Sequence, residues 1–112
     1  MKRGEIWWAE LPDPTGSEPG YKRPVLIVQA DSFNQSRIHT VIAATLTRNL
    51  NLAQAPGNVL LSPKHSGLPQ KSVINVSQLI TLDKSFLTEQ VRTLPPKVLG
   101  KVEQGLRLVL CL

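Results

Sequence analysis

Cysteine is nearly absent from this 112-residue sequence. Cys111 is the single cysteine, so no disulfide can form within the chain and no zinc cluster can be built from thiolates. The N-terminal residues also lack the apolar stretch and small-residue cleavage site of a secretory signal. We therefore expect a soluble protein that stays in the reducing cytoplasm.

Long apolar runs and familiar catalytic motifs are missing as well. No window approaches the roughly 18 consecutive apolar residues of a membrane span, and HExxH, P-loop, GxSxG and paired-cysteine patterns are not found. We expect no membrane association, no metal and no cofactor. His39 and His65 are the only histidines, so a histidine acid–base pair would need both; one packed and one solvated histidine is the simpler interpretation.

What the sequence does contain is typical of one globular domain that spans residues 1–112. Apolar residues make up 41% of the chain and charged residues 19%, which is enough for a single hydrophobic core and far from the composition of disorder. The formal net charge is +5. That charge favours a phosphate-bearing partner or an acidic protein segment.

Short apolar and β-branched segments between Gly- and Pro-rich turns predict a mostly β fold. We predict strands at 5–11, 24–30, 38–47, 58–61, 72–76 and 79–82, a helical turn at 31–37, loops at 12–22 and 62–71, a polar linker at 48–57 and a capped turn from Asp83. Behind Pro95 and Pro96 the apolar spacing becomes helical. The expected fold is a small barrel or bent antiparallel sheet with short helices and a C-terminal amphipathic helix.

Several segments, in order along most of the chain, carry a family resemblance. They are Arg3-Gly4-Glu5-Ile6-Trp7, the run GSEPG at 16–20, RPVLIVQ at 23–29, TVIAATLT at 40–47, Gly67-Leu68-Pro69, Ser72-Val73-Ile74 and QLITLD at 78–83. In these segments the chain resembles the MazF/PemK-type endoribonuclease toxins. The resemblance implies an SH3-like barrel, a homodimer, metal-independent cleavage of single-stranded RNA, and inhibition by a cognate antitoxin through its acidic C-terminal tail.

By motif position, the resemblance places the catalytic arginine on Arg23 and its partner hydroxyl on Thr47. RNA supplies its own nucleophile, the 2′-hydroxyl, so the protein need only orient it and stabilise charge on the phosphorane. An arginine suits this task because its planar fork binds two phosphate oxygens, although it is a poor proton shuttle. The expected product carries a 2′,3′-cyclic phosphate, and DNA would be spared because it lacks the 2′-hydroxyl.

Other residues are candidates for binding the substrate. Ser17 and Glu18 stand in the loop before Arg23, where a carboxylate could accept from a base amino group or orient Arg23, or could simply be solvated. The remaining candidates are Lys22, Arg48 and Lys64 as phosphate clamps, and Gln78. Trp7 and Trp8 could stack on an unpaired base, but a role in the core is the stronger interpretation for both.

The sequence departs from the family pattern around Gln78. Ser77-Gln78-Leu79-Ile80 replaces the commoner EQIRT-like run, so Ser77 stands in place of an acid and Ile80 in place of an arginine. If those charges help relatives to dimerise or hold a base, this protein must do so differently. Two alternatives remain: a CcdB-like toxin that grips a topoisomerase without catalysis, and a barrel that binds RNA without cutting it.

Overall fold

The computed structural model describes residues 1–11 and 21–112, in which six strands form one antiparallel half-barrel sheet. The strands are β1 Glu5–Leu11, β2 Tyr21–Ile27, β3 Thr40–Thr47, β4 Val59–Leu61, β5 Ser72–Asp83 and β6 Leu87–Thr93. The described helices are α1 Asp31–Asn34, α2 Pro63–Ser66 and α3 Pro96–Leu110, with 3-10 turns at Leu50–Gln54 and Lys84–Phe86. The sheet order is β4-β5-β3-β2-β1-β6. The predicted mostly β fold with a C-terminal helix is confirmed.

The sheet buries apolar side chains on both of its faces. One cluster contains Leu26 and Leu46 and is closed by Val102 of α3. The other contains Val25 and Ile27. Because successive strand residues point to opposite faces, the continuous apolar run of β2 contributes to both clusters. Among the described helices, none is long and apolar enough to cross a membrane.

β5 is one long strand, and the prediction of two short strands at 72–76 and 79–82 is wrong. The register with β3 jumps between Ala44↔Leu79 and Thr45↔Asn75, which leaves residues 76–78 as a bulge. Side chains satisfy the backbone there: Asn58 Oδ1 accepts from the Val76 N–H at 2.9 Å, and Asn75 Oδ1 accepts from the Ser77 N–H at 3.3 Å. The bulge bends the strand without ending it.

The bounds predicted for β2 are also wrong, and the prediction misses β6. β2 begins at Tyr21 and ends at Ile27, three residues before each predicted bound, and β6 is not predicted at all. In the sequence LTEQVRT of β6 only two residues are apolar, and the strand lies at the sheet edge, where one face is solvated. An alternating apolar signal is therefore too weak to detect.

α2 lies between the two edge strands, β4 and β6, and contacts both. The Arg92 guanidinium of β6 donates to the Lys64 carbonyl of α2 at 2.6 Å. Gly67 ends α2 in the left-handed conformation, with φ of 75°, which glycine adopts without steric cost. The half-barrel is thus bridged on its open side by a short helix inside the predicted 62–71 loop.

A polar network ties the N-terminal residues to α1 and α3. The Arg3 backbone N–H donates to Asp31 Oδ1 at 2.7 Å, and its guanidinium pairs with Glu103 of α3 at 2.6 Å. Asn34 donates to the same Asp31 oxygen at 3.0 Å and exchanges hydrogen bonds with Gln29. Gln29 and Asn34 are buried, and these bonds satisfy their amide groups.

Candidate active site

The β2–β3 ladder is shorter than either strand: β2 begins before its first paired residue, Val25, and β3 continues past its last paired residue, Thr45. Their ladder runs from Ile27↔Ala43 to Val25↔Thr45, whereas β2 continues back to Tyr21 beside β1 alone and β3 continues to Thr47. Pro24 lies next to the final pair, Val25↔Thr45, and has no backbone N–H to donate to β3. The loss of this ladder opens a gap between the two strand ends.

A groove of about 390 Å³ occupies this gap. β2 contributes Lys22, Arg23 and Pro24 to its lining, and the end of β3 contributes Leu46, Thr47 and Arg48. Trp8, Leu68, Pro69, Gln70 and Ser72 complete the lining. If the β2–β3 register is continued by two residues, Arg23 stands opposite Thr47. The structure therefore brings together the two residues that the sequence predicts as catalytic.

The Thr47 hydroxyl is held by the turn that follows β3. Its oxygen accepts from the Asn49 backbone N–H at 3.1 Å, and Asn49 Oδ1 in turn accepts from the Asn51 N–H at 3.2 Å. A hydroxyl has one hydrogen to donate and two lone pairs, and the bond to Asn49 uses one lone pair. The Thr47 O–H is oriented by this contact and keeps its hydrogen for another acceptor.

Among the described residues, the charged side chains that line the groove are all positive. Arg23 is half-buried, while Lys22 and Arg48 are exposed. Arg48 also donates to Gln70 Oε1 across the groove at 3.4 Å. Among the described residues, no Asp or Glu lines the groove. The described cations Lys22, Arg23 and Arg48 favour an anion such as a phosphodiester in this groove.

Trp8 gives the groove an aromatic surface. It is half-buried, packs against the first apolar cluster and lines the groove. Trp7 is on the other face, where it packs against the second cluster and donates to Glu5 Oε1 at 3.0 Å. Trp8 thus combines a packing role with a surface available to a base, whereas Trp7 lies outside the groove lining.

Two other sequence-predicted binding residues, Lys64 and Gln78, are not among the residues that line the groove. Lys64 is exposed on α2, and Gln78 is in the β5 bulge, where its side-chain oxygen accepts from the Thr45 hydroxyl at 3.2 Å. Neither lines the groove, nor does His39 or His65. Ser17 and Glu18 fall outside the described residues.

The sequence did not indicate that the segment 68–72, here called the 68–72 wall, completes the lining of the groove. Gln70 and Ser72 of this wall carry polar side chains, and Leu68 is buried. The signal available was the Gly67-Leu68-Pro69 segment shared with the family pattern, but no sequence periodicity indicates that this loop lines a groove together with β2. Among the described residues, no group of three His, Cys, Asp or Glu side chains could hold a metal ion.

Comparison with known proteins places this chain in a family. A model of the PemK-like, MazF-like toxins of type II toxin-antitoxin systems matches residues 2–110. The chain belongs to this toxin family. Its predicted resemblance to the MazF/PemK toxins is therefore confirmed.

Individual members of the MazF/PemK family match along almost their whole length. Endoribonuclease MazF6 of Mycobacterium tuberculosis H37Rv is 47% identical over 110 residues, which cover 98% of this chain and 96% of that protein. Endoribonuclease EndoA of Bacillus subtilis 168 is 36% identical, with 100% and 96% covered. The MazE–MazF structure from Deinococcus radiodurans superposes with a TM-score of 0.81 at 26% identity, covering 100% and 96% of the two chains. These matches do not favour the topoisomerase-gripping alternative.

Proposed function

We propose that this toxin is an endoribonuclease that cuts single-stranded RNA at specific sequences, without a metal, in the groove between β2 and β3. The observation that carries the proposal is that Arg23 and Thr47 line one cationic groove, where the β2–β3 ladder ends. The 47% identity to a named endoribonuclease over nearly the whole chain supports it. Cleavage of messenger RNA would stop translation and growth.

The reaction needs little from the protein besides position and charge. The 2′-hydroxyl oxygen attacks the adjacent phosphorus and loses its proton, while the bond from phosphorus to the 5′-oxygen breaks and that oxygen gains a proton. The products are a 2′,3′-cyclic phosphate and a 5′-hydroxyl. Negative charge builds on the non-bridging oxygens in between, and preorganised donors aimed at those oxygens lower the barrier.

Arg23 is the principal donor to the phosphorane in this proposal. Its half-buried position on the groove wall places a cation where the surrounding water is partly excluded, which strengthens its interaction with phosphate. The guanidinium fork can bind two phosphate oxygens at once. Its high proton affinity makes proton transfer a secondary role.

Thr47 is a second donor, or it orients the 2′-hydroxyl. Its hydroxyl oxygen is fixed by Asn49 while its hydrogen remains available. Lys22 and Arg48 then hold the flanking phosphates, because both are exposed at the groove rim. Trp8 provides a face on which one base can stack, a contact worth ~1–3 kcal/mol. Ser17, Glu18, Lys64 and Gln78 remain predictions for substrate binding.

The partners follow from the same family membership. The cationic groove suits the acidic tail of a cognate antitoxin, which would compete with RNA for the same charges. A homodimer is supported by exposed apolar side chains at and just after the end of α3, and within and just after α1, among them Leu108, Leu112, Phe33 and Ile38. A cytoplasmic location is proposed, since messenger RNA and the antitoxin are found there.

The chemistry is tested with a synthetic RNA that contains one mapped cleavage site. Replacing the nucleotide on the 5′ side of the scissile bond by its 2′-deoxy form should abolish cutting, because the nucleophile is gone. The same replacement on the 3′ side is the matched control and should leave cutting largely intact. Continued cleavage of the first substrate would rule out attack by the 2′-hydroxyl.

A further inference from the structure

A second depression adjoins the groove on the other side of the segment 70–72. Its volume is about 400 Å³, close to that of the groove. It is formed where β4, α2 and α3 meet, and its lining includes Leu60, Ser62, His65, Lys71, Val98 and Lys101. Nothing in the proposed reaction uses this depression.

The segment 70–72 of the 68–72 wall lies between the two depressions, because its consecutive residues line different ones. Gln70 and Ser72 line the groove, whereas Lys71 between them lines the second depression. This alternation is expected for extended chain, in which successive side chains point to opposite sides. A strand of RNA that leaves the groove over this wall therefore meets Lys71 next.

The second depression has the chemical character of a nucleotide site. His65, Lys71 and Lys101 are basic, and among the described residues that line it there is no carboxylate. Lys71 and Lys101 are exposed, so their ammonium groups are accessible to a phosphate. Leu60 and Val98 add apolar surface that a sugar or base can cover. The cations of the groove thus continue across the wall.

We propose that RNA bound in the groove crosses the wall at 70–72, and that Lys71 and Lys101 hold phosphates outside the cleaved sequence. The inference rests on the proposed ribonuclease function and extends its substrate from a short site to a longer strand. Contacts to phosphates carry no sequence information but raise affinity. Long RNA should therefore bind more tightly than an oligonucleotide that contains only the cleaved sequence.

The test compares two synthetic RNAs, one limited to a mapped cleavage site and one extended by several nucleotides on both sides. The double variant Lys71→Ala/Lys101→Ala should cut the short RNA like the wild type. On the extended RNA its KM should rise several-fold with little change in kcat. Each lost phosphate contact should also lower the salt slope of binding to the extended RNA by ~0.7, or about 1.4 for both.

A charge-matched control separates a local site from general attraction. Lys2→Ala/Arg37→Ala removes two exposed positive charges that line neither depression. Equal effects of the two double variants, or equal effects on short and extended RNA, would overturn the proposed second site. The proposed second site would also be overturned if the Lys71→Ala/Lys101→Ala variant bound extended RNA normally but no longer bound an acidic antitoxin peptide. If the wild type cuts neither RNA, the ribonuclease function itself fails, a result distinct from a missing length effect.

Discussion

Two glycines of α3 have opposite surroundings, although glycine weakens a helix interior by a similar amount at either position. A Cβ on Gly105 would overlap the carbonyl oxygen of Gly57, whereas a Cβ on Gly100 would meet no heavy atom of the described structure within 4 Å. Gly105 thus lets α3 approach the turn before β4. Gly100 has no such packing reason.

Replacing each glycine by alanine should therefore change stability in opposite directions. Gly100→Ala should raise the free energy of unfolding by up to ~1 kcal/mol, because alanine favours the helix. Gly105→Ala should lower it by ~1–3 kcal/mol, because the new methyl group displaces α3 from the Gly57 turn. Chemical denaturation at neutral pH measures both, and equal stabilisation by the two substitutions would contradict the close contact.

At the scale of elements, the N-terminal segment is attached to α1 through one carboxylate. The hydrogen bond from the Arg3 backbone N–H, and after it the bond from the Asn34 side chain, hold the pKa of Asp31 below its ordinary value of 3.8. Because the pKa is lower in the folded protein, the ionised carboxylate stabilises the fold above pH 3.8. That stabilisation is lost as the pH falls through the lowered pKa.

Asp31→Asn should accordingly reduce stability at pH 7 and flatten its decrease at acid pH. The measurement is the midpoint of thermal unfolding between pH 7 and pH 2.5 for the wild type and the variant. Glu89→Gln, which removes an exposed carboxylate from β6, is the matched control. If both variants retain the wild-type acid profile, the Asp31 network does not contribute as described.

The elements that the sequence predicts well are those with a strong local signal. β1 is bounded by its apolar run and the following prolines, and α3 by its helical spacing behind Pro95 and Pro96. The β5 bulge escaped prediction because its residues are stabilised by Asn58, which is distant in sequence. β6 escaped because an edge strand needs little apolar surface.

The same contrast holds for the candidate site. Arg23 and Thr47 could be named from family motifs, and their register explains why they line one groove. The 68–72 wall could not be predicted, since no local sequence pattern relates this loop to β2 and β3, from which it is separated along the chain. Lys64 and Gln78 do not line the described groove, and their role in substrate binding stays a prediction.

Over the whole molecule, the positive charge that would attract RNA would also attract an acidic antitoxin. The net charge is +5, and three cations line the groove. An acidic peptide from the cognate antitoxin should therefore inhibit cleavage, and inhibition should weaken as salt rises, because screening shortens the reach of these charges. Titration of the peptide at two ionic strengths measures this. Unchanged cleavage at saturating peptide would exclude a shared groove.

Metal-independent cleavage of RNA by Arg23 and Thr47 can be tested in one assay. Mixed-sequence single-stranded RNA is incubated in excess EDTA with the wild type, Arg23→Ala or Thr47→Ala, each shown to be folded and of the same oligomeric size. We predict site-selective cuts with cyclic-phosphate ends for the wild type, no detectable cutting by Arg23→Ala, and cutting slowed on the order of 100- to 1000-fold by Thr47→Ala. A folded wild type that cuts no RNA, or Arg23→Ala that cuts at the wild-type rate, would contradict the account.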